Sequence, residues 1–285
     1  MLKIKFHKLI LITAMLVSGV IAEGVYGLNK VQYRRYDWQQ VQTAHFDIYF
    51  YEPGEYIASF AAREIENLYE EVAELMNHKL SQRIPIIIHN THAQFSETNV
   101  LRYPIPDAVG GFTEIFKNRV VLPFDGNYQS FRHVLQHEMI HAMTFDLVSH
   151  GRKGYSTAAK LGDTPLWAME GIAEYGSLGW EIGGEVAMLD AVSSGYLRNP
   201  AYGLWGFMAY KGGQNFLHFI ESNWGTGTVA RLFHSISRGL SFEVAFLRST
   251  RVSLQEAGDI WLRELRRLKR PSPQMKPKPY CSSKR

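Results

Sequence analysis

The hydrophobic pattern changes along the chain from short alternating stretches to long helical periods. The stretch from Phe46 to Phe50 has apolar residues at every second position and is rich in aromatic residues, which is typical of a strand. Between residues 54 and 79 apolar side chains recur every three to four positions with acids opposite, which predicts a long amphipathic helix. Ile84 to Ile88 predicts a buried strand, and residues 112–116 and 119–123 predict a hairpin joined at Lys117-Asn118.

From about residue 128 to 269 the periodicity is helical throughout, and no internal repeat is present. Strands followed by helices are typical of an α+β domain. We therefore predict a small N-terminal mixed sheet with a long helix, followed by a mostly helical C-terminal half.

The first 22 residues have the layout of a secretory signal peptide. Residues 1–8 are basic, the stretch from Leu9 to Ala22 is largely apolar, and Val20-Ile21-Ala22 fits a cleavage site. The alternative is an uncleaved membrane anchor, but a span needs about 20 apolar residues. The sequence predicts export to the periplasm, the cell envelope or the medium, with a folded domain over residues 23–270.

The charge is concentrated at the two ends of the chain. The net charge is +4, yet residues 263–285 carry nine Lys and Arg against one acid, so the body between the ends is negative. This distribution excludes a nucleic-acid-binding role based on net charge. Residues 271–285 predict a basic, Pro-rich, disordered tail that could contact anionic lipid. The single cysteine, Cys281, excludes a disulfide framework and a Cys-rich metal site.

The clearest chemical signal is His137-Glu138-Met139-Ile140-His141, within the helix predicted over about 128–147. Two histidines at i and i+4 project from one helical face, so both imidazoles can reach one metal ion. Glu138 lies beside that face and can act as general base on a metal-bound water. The alternative is a helix that happens to hold two histidines, but its inner side is apolar, so these histidines should enter the domain.

A catalytic zinc site needs a third protein ligand and one open position. A third histidine six residues on is excluded, because Leu147 stands at that position. Glu170 and Glu174 are again i and i+4 on a helix predicted to begin at Pro165 and end near Gly176. One of them can bind the metal, and the other can accept the N–H of a ligating histidine. The alternative is two solvated acids on a surface helix.

Taken together, these two segments make the sequence resemble the gluzincin metallopeptidases. The stretch from Leu166 to Tyr175 is similar to the aminopeptidase pattern W-L-N-E-G-F-A-x-Y, and the chain as a whole is most similar to peptidase-MA-like domains of bacterial envelope proteins. The resemblance implies a zincin-like fold and Zn²⁺ held by His137, His141 and Glu170. It places Glu174 at the family's second acidic position, as the outer partner of a ligand.

The sequence departs from the aminopeptidases in three places. The spacing from His141 to Glu170 is longer, which we assign to a polar surface loop over about 148–164, with a lid as the alternative. The G-A-M-E-N stretch that binds a substrate amine is absent, so exopeptidase specificity does not carry over. The strand at that place could still pair with an extended substrate, and Glu114 is a weak alternative amine binder.

Tyr210 is the nearest match to the tyrosine of the family's Y-E-K-G stretch, although Lys211 is shifted by one position. The resemblance implies that its phenol donates a hydrogen bond to the developing oxyanion. The alternative is an aromatic ring packed beneath the site. His133 is predicted to neighbour the site without being a ligand. Four other histidines have no partner at ligand spacing and are predicted to be structural: His45, His89, His218 and His234.

The sequence therefore predicts an exported zinc-dependent peptidase acting on peptides or proteins, with Glu138 as general base. A catalytically idle envelope domain used for binding or assembly is the alternative from another class. A closed structural zinc site is a third reading, and it would need a fourth protein ligand that no natural spacing offers.

Overall fold

The computed structural model describes residues 34–101, 105–151, 155–179 and 182–268. The predicted signal peptide (1–22) and the predicted basic tail (271–285) lie outside these residues and stay predictions. The predicted domain bounds, 23 and 270, stay predictions as well. Within the described ranges, no helix has both the length and the apolar character needed to cross a membrane.

A five-stranded mixed sheet forms the N-terminal part. Its strands are β1 Gln39–Gln42, β2 Phe46–Phe50, β3 Ile84–His89, β4 Phe112–Glu114 and β5 Arg119–Pro123, and their order in the sheet is β1-β2-β3-β5-β4. Strands β2, β3 and β5 are parallel, whereas β1 and β4 pair antiparallel at the two edges. The side chains of β2 alternate between buried and half-buried, as the sequence pattern requires.

Ten α-helices are described within these ranges, and most of them follow the sheet. Their bounds are α1 Glu55–Met76, α2 His92–Ser96, α3 Tyr128–Ser149, α4 Tyr155–Leu161, α5 Leu166–Leu178, α6 Ile182–Ser193, α7 Phe207–Trp224, α8 Thr228–Ser237, α9 Phe242–Thr250 and α10 Leu254–Leu268. A short 3₁₀ turn, Pro200–Tyr202, precedes α7.

Helix α3 is central, because it packs against the sheet and α1 on one side and against α5 and α8 on the other. One core joins both halves of the molecule. In the helical half, the ring of Phe216 lies 5.3 Å from Trp167 and 5.2 Å from Trp261, measured between centroids. Trp167 is fully buried near the start of α5, so this aromatic packing fixes the helix that carries both candidate glutamates.

The α+β class and the order of a small sheet followed by helices are confirmed. Three local predictions are wrong. The hairpin strand predicted over residues 112–116 ends at Glu114, because residues 115–118 form the turn. The interval 148–164, predicted as a loop, contains the last two residues of α3 and the short helix α4.

The end of α5 is also wrongly predicted, because the helix ends at Leu178 and not near Gly176. Gly179, with a φ of 63°, follows the last helical residue. Gly176 has a packing role inside the helix instead. A Cβ at that position would lie 2.7 Å from Ile140 Cδ1 and 2.8 Å from Leu75 Cδ2, so the ends of these two side chains, on α3 and α1, would have to shift to admit it.

Candidate metal centre

Helix α3 presents the two histidines of the sequence motif to the interior. Asn127 begins the helix by accepting hydrogen bonds from the backbone N–H groups of Gln129 and Ser130. His137 and His141, one turn apart, are only 7% and 9% exposed. Both imidazoles are therefore withdrawn from solvent.

Glu170 of α5 reaches the same point from the neighbouring helix. The Nε2 atoms of His137 and His141 are 3.2 Å apart, and Glu170 Oε2 lies 3.3 Å from the first and 3.5 Å from the second. Four ligands at about 2.0–2.1 Å from a zinc ion would be separated by about 3.3 Å along each edge of their tetrahedron. The three atoms therefore form a triangle of the size that one tetrahedral zinc ion requires, and all three residues line one cleft. We call these three residues the ligand triangle.

Glu174, one turn after Glu170, supports the triangle from behind. Its Oε1 lies 3.1 Å from Nδ1 of His137, which favours the tautomer with the Nε2 lone pair directed into the triangle. The same oxygen is 3.4 Å from His133 Nε2, and Oε2 accepts a hydrogen bond of 2.7 Å from the ammonium group of Lys211. His133 therefore lies beside Glu174 and outside the ligand triangle.

Glu138 is held by the edge of the sheet. Its side chain is buried, and Thr113 Oγ1 of β4 lies 2.8 Å from its Oε2 and 2.9 Å from its backbone carbonyl oxygen. Gly111 passes so close that a Cβ there would lie 3.2 Å from Glu138 Cγ. The carboxylate is thus fixed by contacts with β4 and the residue before it.

The pKa values reflect how closely the acids and imidazoles are packed. Burial would lower the pKa of His137, but its contacts with Glu170, Glu174 and Glu138 raise it to about 10. Burial has the opposite effect on carboxylic acids and would raise the pKa of both glutamates of α5. Hydrogen bonds with His137 and His141 lower the pKa of Glu170 to about 2, and those with His133, His137 and Lys211 hold the pKa of Glu174 well below its usual range. Both carboxylates stay ionised, which favours a bound cation.

Tyr210 lies at the rim of the site. Its ring is roughly parallel to that of His137, at 6.2 Å between centroids, and it is 39% exposed. Burial, followed by the charges of Glu170, Glu138 and Glu174, raises its pKa to about 12. The phenol therefore keeps its proton at neutral pH and can donate a hydrogen bond to a group in the cleft.

A cleft of about 640 Å³ opens over the ligand triangle. Its described walls are mostly apolar and come from the segment before β4, from β4 and the residue after it, from α3 to α5 and, through Tyr210, from α7. The apolar lining residues include Ile105, Val109, Phe112, Ile115, Phe145, Leu161 and Met169. A larger concavity of about 1180 Å³, between α1, α8 and α9, contains no residue of the ligand triangle among its described lining.

Glu114 does not point toward a substrate amine. Its carboxylate accepts hydrogen bonds from the backbone N–H groups of Phe116 and Lys117 and pairs with Arg119 at 3.1 Å. The hairpin turn uses both of its oxygens, which leaves the weak alternative of an amine-binding role without support.

The histidines predicted to be structural lie away from the ligand triangle. His45 pairs with Glu66 at 2.7 Å, and His234 Nε2 lies 3.1 Å from the carbonyl oxygens of Met76 and Asn77. His89 is buried, which lowers its pKa to about 4. The ring of His218 packs near Tyr175.

Two contacts of the site have no signal in the sequence pattern. The hydrophobic alternation places Thr113 in a strand but gives it no role. Lys211 is marked only because it is shifted by one position from the lysine of the Y-E-K-G stretch. Each meets its carboxylate through a contact between residues 25 or more positions apart.

The sequence matches no protein-family model and no curated protein. Among solved structures, it is similar to an M1 zinc metallopeptidase mutant from Deinococcus radiodurans, with a TM-score of 0.41 and 12% identity over 79% of this chain and 50% of that one. Two structures of a two-domain M1 zinc metallopeptidase mutant, one bound to L-arginine and one to L-tryptophan, give TM-scores of 0.40 and 0.39 at 14% and 13% identity. They cover 81% and 80% of this chain, which spans about half the length of each.

Proposed function

We propose that this chain is a zinc-dependent peptidase with a zincin-like active site. The observation that carries the proposal is the ligand triangle of His137, His141 and Glu170, with the carboxylate of Glu138 fixed next to it. A structural zinc site has four protein ligands and no need of an adjacent base. Three ligands with an open corner toward a cleft are what a water-activating site needs.

In this proposal His137, His141 and Glu170 hold the zinc ion, and Glu174 keeps His137 in the ligating tautomer. Bound zinc supplies a Lewis acid that polarises the peptide carbonyl and lowers the pKa of water. Glu138 accepts the proton of the attacking water and delivers it to the leaving amine. Thr113 orients the Glu138 carboxylate, and the Tyr210 phenol donates a hydrogen bond to the substrate oxygen on which charge develops.

The shape of the cleft favours an extended substrate. Strand β4 is the last in the sheet, so one of its edges has no neighbouring strand among the described residues. That strand contributes Phe112 and Thr113 to the cleft, and a peptide could add to it by backbone hydrogen bonds. The apolar walls favour apolar side chains, and Glu114 is engaged in the hairpin. We therefore propose cleavage within peptides rather than removal of single N-terminal residues.

Glu138→Gln tests the enzyme directly. The substitution keeps the size of the side chain but removes its basicity, so the variant should bind zinc fully and retain its fold. Turnover of a peptide library, read by mass spectrometry, should fall by about 10²–10⁴. Glu71→Gln, which changes an exposed acid of α1, is the matched control and should leave turnover unchanged.

Equal cleavage by wild type and Glu138→Gln would contradict the mechanism, because the activity would not depend on the proposed base. If the wild type binds zinc stoichiometrically but cleaves no peptide of a broad library, the idle binding or assembly domain takes the place of the peptidase.

We also propose that the protein is exported and acts in the periplasm, the cell envelope or the medium. The proposal rests on the order of a basic segment, an apolar segment and a cleavage site in residues 1–22. N-terminal sequencing of the protein from a bacterial host should give a mature chain that begins near Glu23. An intact Met1 in the membrane fraction would indicate an uncleaved membrane anchor instead of a signal peptide.

A further inference from the structure

Lys211 forms a half-buried ion pair with the carboxylate behind the ligand triangle. Its ammonium group lies 2.7 Å from Glu174 Oε2, and the two side chains are 17% and 7% exposed. Lysine is seldom buried to this extent unless it is paired. The contact joins α7 to α5 across 37 positions of sequence, so it is a tertiary contact rather than a consequence of helix periodicity.

We propose that Lys211 is a positioning residue for metal binding, which acts on His137 through Glu174. The inference rests on the proposed function and deepens it, because it assigns a role to a residue that does not touch the ligand triangle. It also gives a reason for the displaced lysine after Tyr210, to which the sequence pattern assigns no function.

The two oxygens of Glu174 have separate partners. Oε1 holds Nδ1 of His137 and lies 3.4 Å from His133 Nε2, whereas Oε2 is held by Lys211. A glutamate side chain has three rotatable bonds, so contacts on one oxygen alone leave its carboxylate free to turn. The second contact, on the opposite oxygen, fixes the plane of the carboxylate and thereby the direction of the bond to His137.

The positive charge of Lys211 also contributes to the positioning of Glu174. Three carboxylates line one cleft: those of Glu138 and Glu174 are buried, and that of Glu170 is half-buried. Lys211 offsets the charge of Glu174 without competing for the ligand triangle, because it contacts the oxygen that faces away from His137. Removal of the ammonium would leave a buried carboxylate oxygen without this partner, which is costly. The side chain would then turn toward water, and His137 would lose its support.

The experiment compares zinc affinity in Lys211→Met, Lys211→Arg and a control, Lys79→Met, which removes the same charge from an exposed position. Competition with a chromophoric chelator measures the Kd for zinc, and circular dichroism of the metal-free proteins checks the fold. Loss of an outer partner of a metal ligand weakens binding by about 10–100-fold. We expect Lys211→Met to lie at the lower end of that range, Lys211→Arg to recover most of the affinity, and Lys79→Met to match wild type.

A double-mutant cycle shows whether Lys211 acts through Glu174. If it does, Lys211→Met combined with Glu174→Gln should bind zinc no more weakly than Glu174→Gln alone. In peptide cleavage with zinc saturating, Lys211→Met should lower kcat and leave KM unchanged, since Lys211 does not contact the substrate.

Additive losses in the cycle, or wild-type affinity in Lys211→Met, would overturn the inference while the proposed function stands. The reverse result is also distinguishable. If the zinc affinities follow the expected order but no variant cleaves peptides, the positioning role stands and the peptidase proposal fails. A wild-type protein that binds no zinc would overturn both.

Discussion

Gly171 of α5 and Gly213 of α7 lie directly against each other where the two helices cross. A Cβ atom on Gly171 would lie 2.6 Å from the carbonyl carbon of Gly213, and one on Gly213 would lie 2.9 Å from the Cα of Gly171. The backbones are in contact, with no side chain between them. This crossing sets the position of α7, and with it Tyr210 and Lys211, relative to Glu170 and Glu174.

The crossing predicts that Gly213→Ala destabilises the protein. Alanine normally stabilises a helix interior relative to glycine by about 0.5–1 kcal/mol. Here the added methyl group meets backbone atoms that cannot move aside, and overpacking of this kind costs about 1–3 kcal/mol. Chemical denaturation should therefore show a lower free energy of unfolding for the variant.

Gly183→Ala is the matched control for this prediction. Gly183 lies in α6, and a Cβ there would have no heavy atom within 4 Å, so the same substitution should be neutral or slightly stabilising. Equal effects at the two positions would mean that helix propensity, and not the contact between α5 and α7, decides the outcome.

The two glutamates of α5 should differ in what they do to zinc. Glu170→Ala removes a corner of the ligand triangle, so the variant should not retain zinc through dialysis. Glu174→Ala removes only the support of His137 and should weaken binding by about 10–100-fold. Zinc titration against a chelator measures both. The reverse order of effects would show that Glu174 is the ligand and Glu170 its outer partner.

The sequence alone predicts those parts of the site that depend on the spacing of residues within one helix. Residues four apart on a helix share a face whatever surrounds them, so helical spacing alone pairs His137 with His141 and Glu170 with Glu174. Spacing leaves open which glutamate meets the histidines, and only the family resemblance points to Glu170. The structure brings Glu170 to both Nε2 atoms and Glu174 to Nδ1 of His137.

Contacts between distant segments cannot be predicted in this way. Thr113 and Lys211 reach the site through strand placement and helix crossing, and neither leaves a periodic signal. Strand β1 escapes prediction for a different reason. Its residues, Gln39–Gln42, are mostly polar and exposed at the sheet edge, so the hydrophobic alternation that predicts a strand is absent.

Thr113 offers a test of how Glu138 is oriented. Thr113→Val keeps the branched shape and removes the hydroxyl group that lies 2.8 Å from Glu138 Oε2. A hydrogen bond to a charged group contributes about 1.5–3 kcal/mol, so kcat should fall by about 10–100-fold while zinc occupancy stays complete. Thr113→Ser, which keeps the hydroxyl group, should retain most of the activity. If both variants lose activity equally, the shape of β4 rather than the hydrogen bond is responsible.

Asp146, near the end of α3, should make the stability of the fold depend on pH. This side chain is 1% exposed, accepts hydrogen bonds from the backbone N–H and hydroxyl group of Ser81, and lies 2.8 Å from His78 Nε2. Burial would raise its pKa, but the contacts with His78 and Ser81 outweigh burial and lower it. The folded protein therefore binds this proton less readily than the unfolded chain, whose aspartates have a pKa of about 3.9.

A lowered pKa in the folded state stabilises the protein above the unfolded pKa, and this stabilisation is lost as the pH falls through the folded pKa. Asp146→Asn should thus lower the free energy of unfolding at pH 7 by about 1.5–3 kcal/mol, the contribution of hydrogen bonds to a charged group. Urea unfolding at a series of pH values, with a chelator present so that zinc release does not contribute, should show the gap between wild type and variant closing below about pH 4. Asp190→Asn, at an exposed position of α6, should leave stability unchanged at every pH. A gap of constant size down to the lowest pH would mean that the side chain stabilises the fold by its shape and not by its charge.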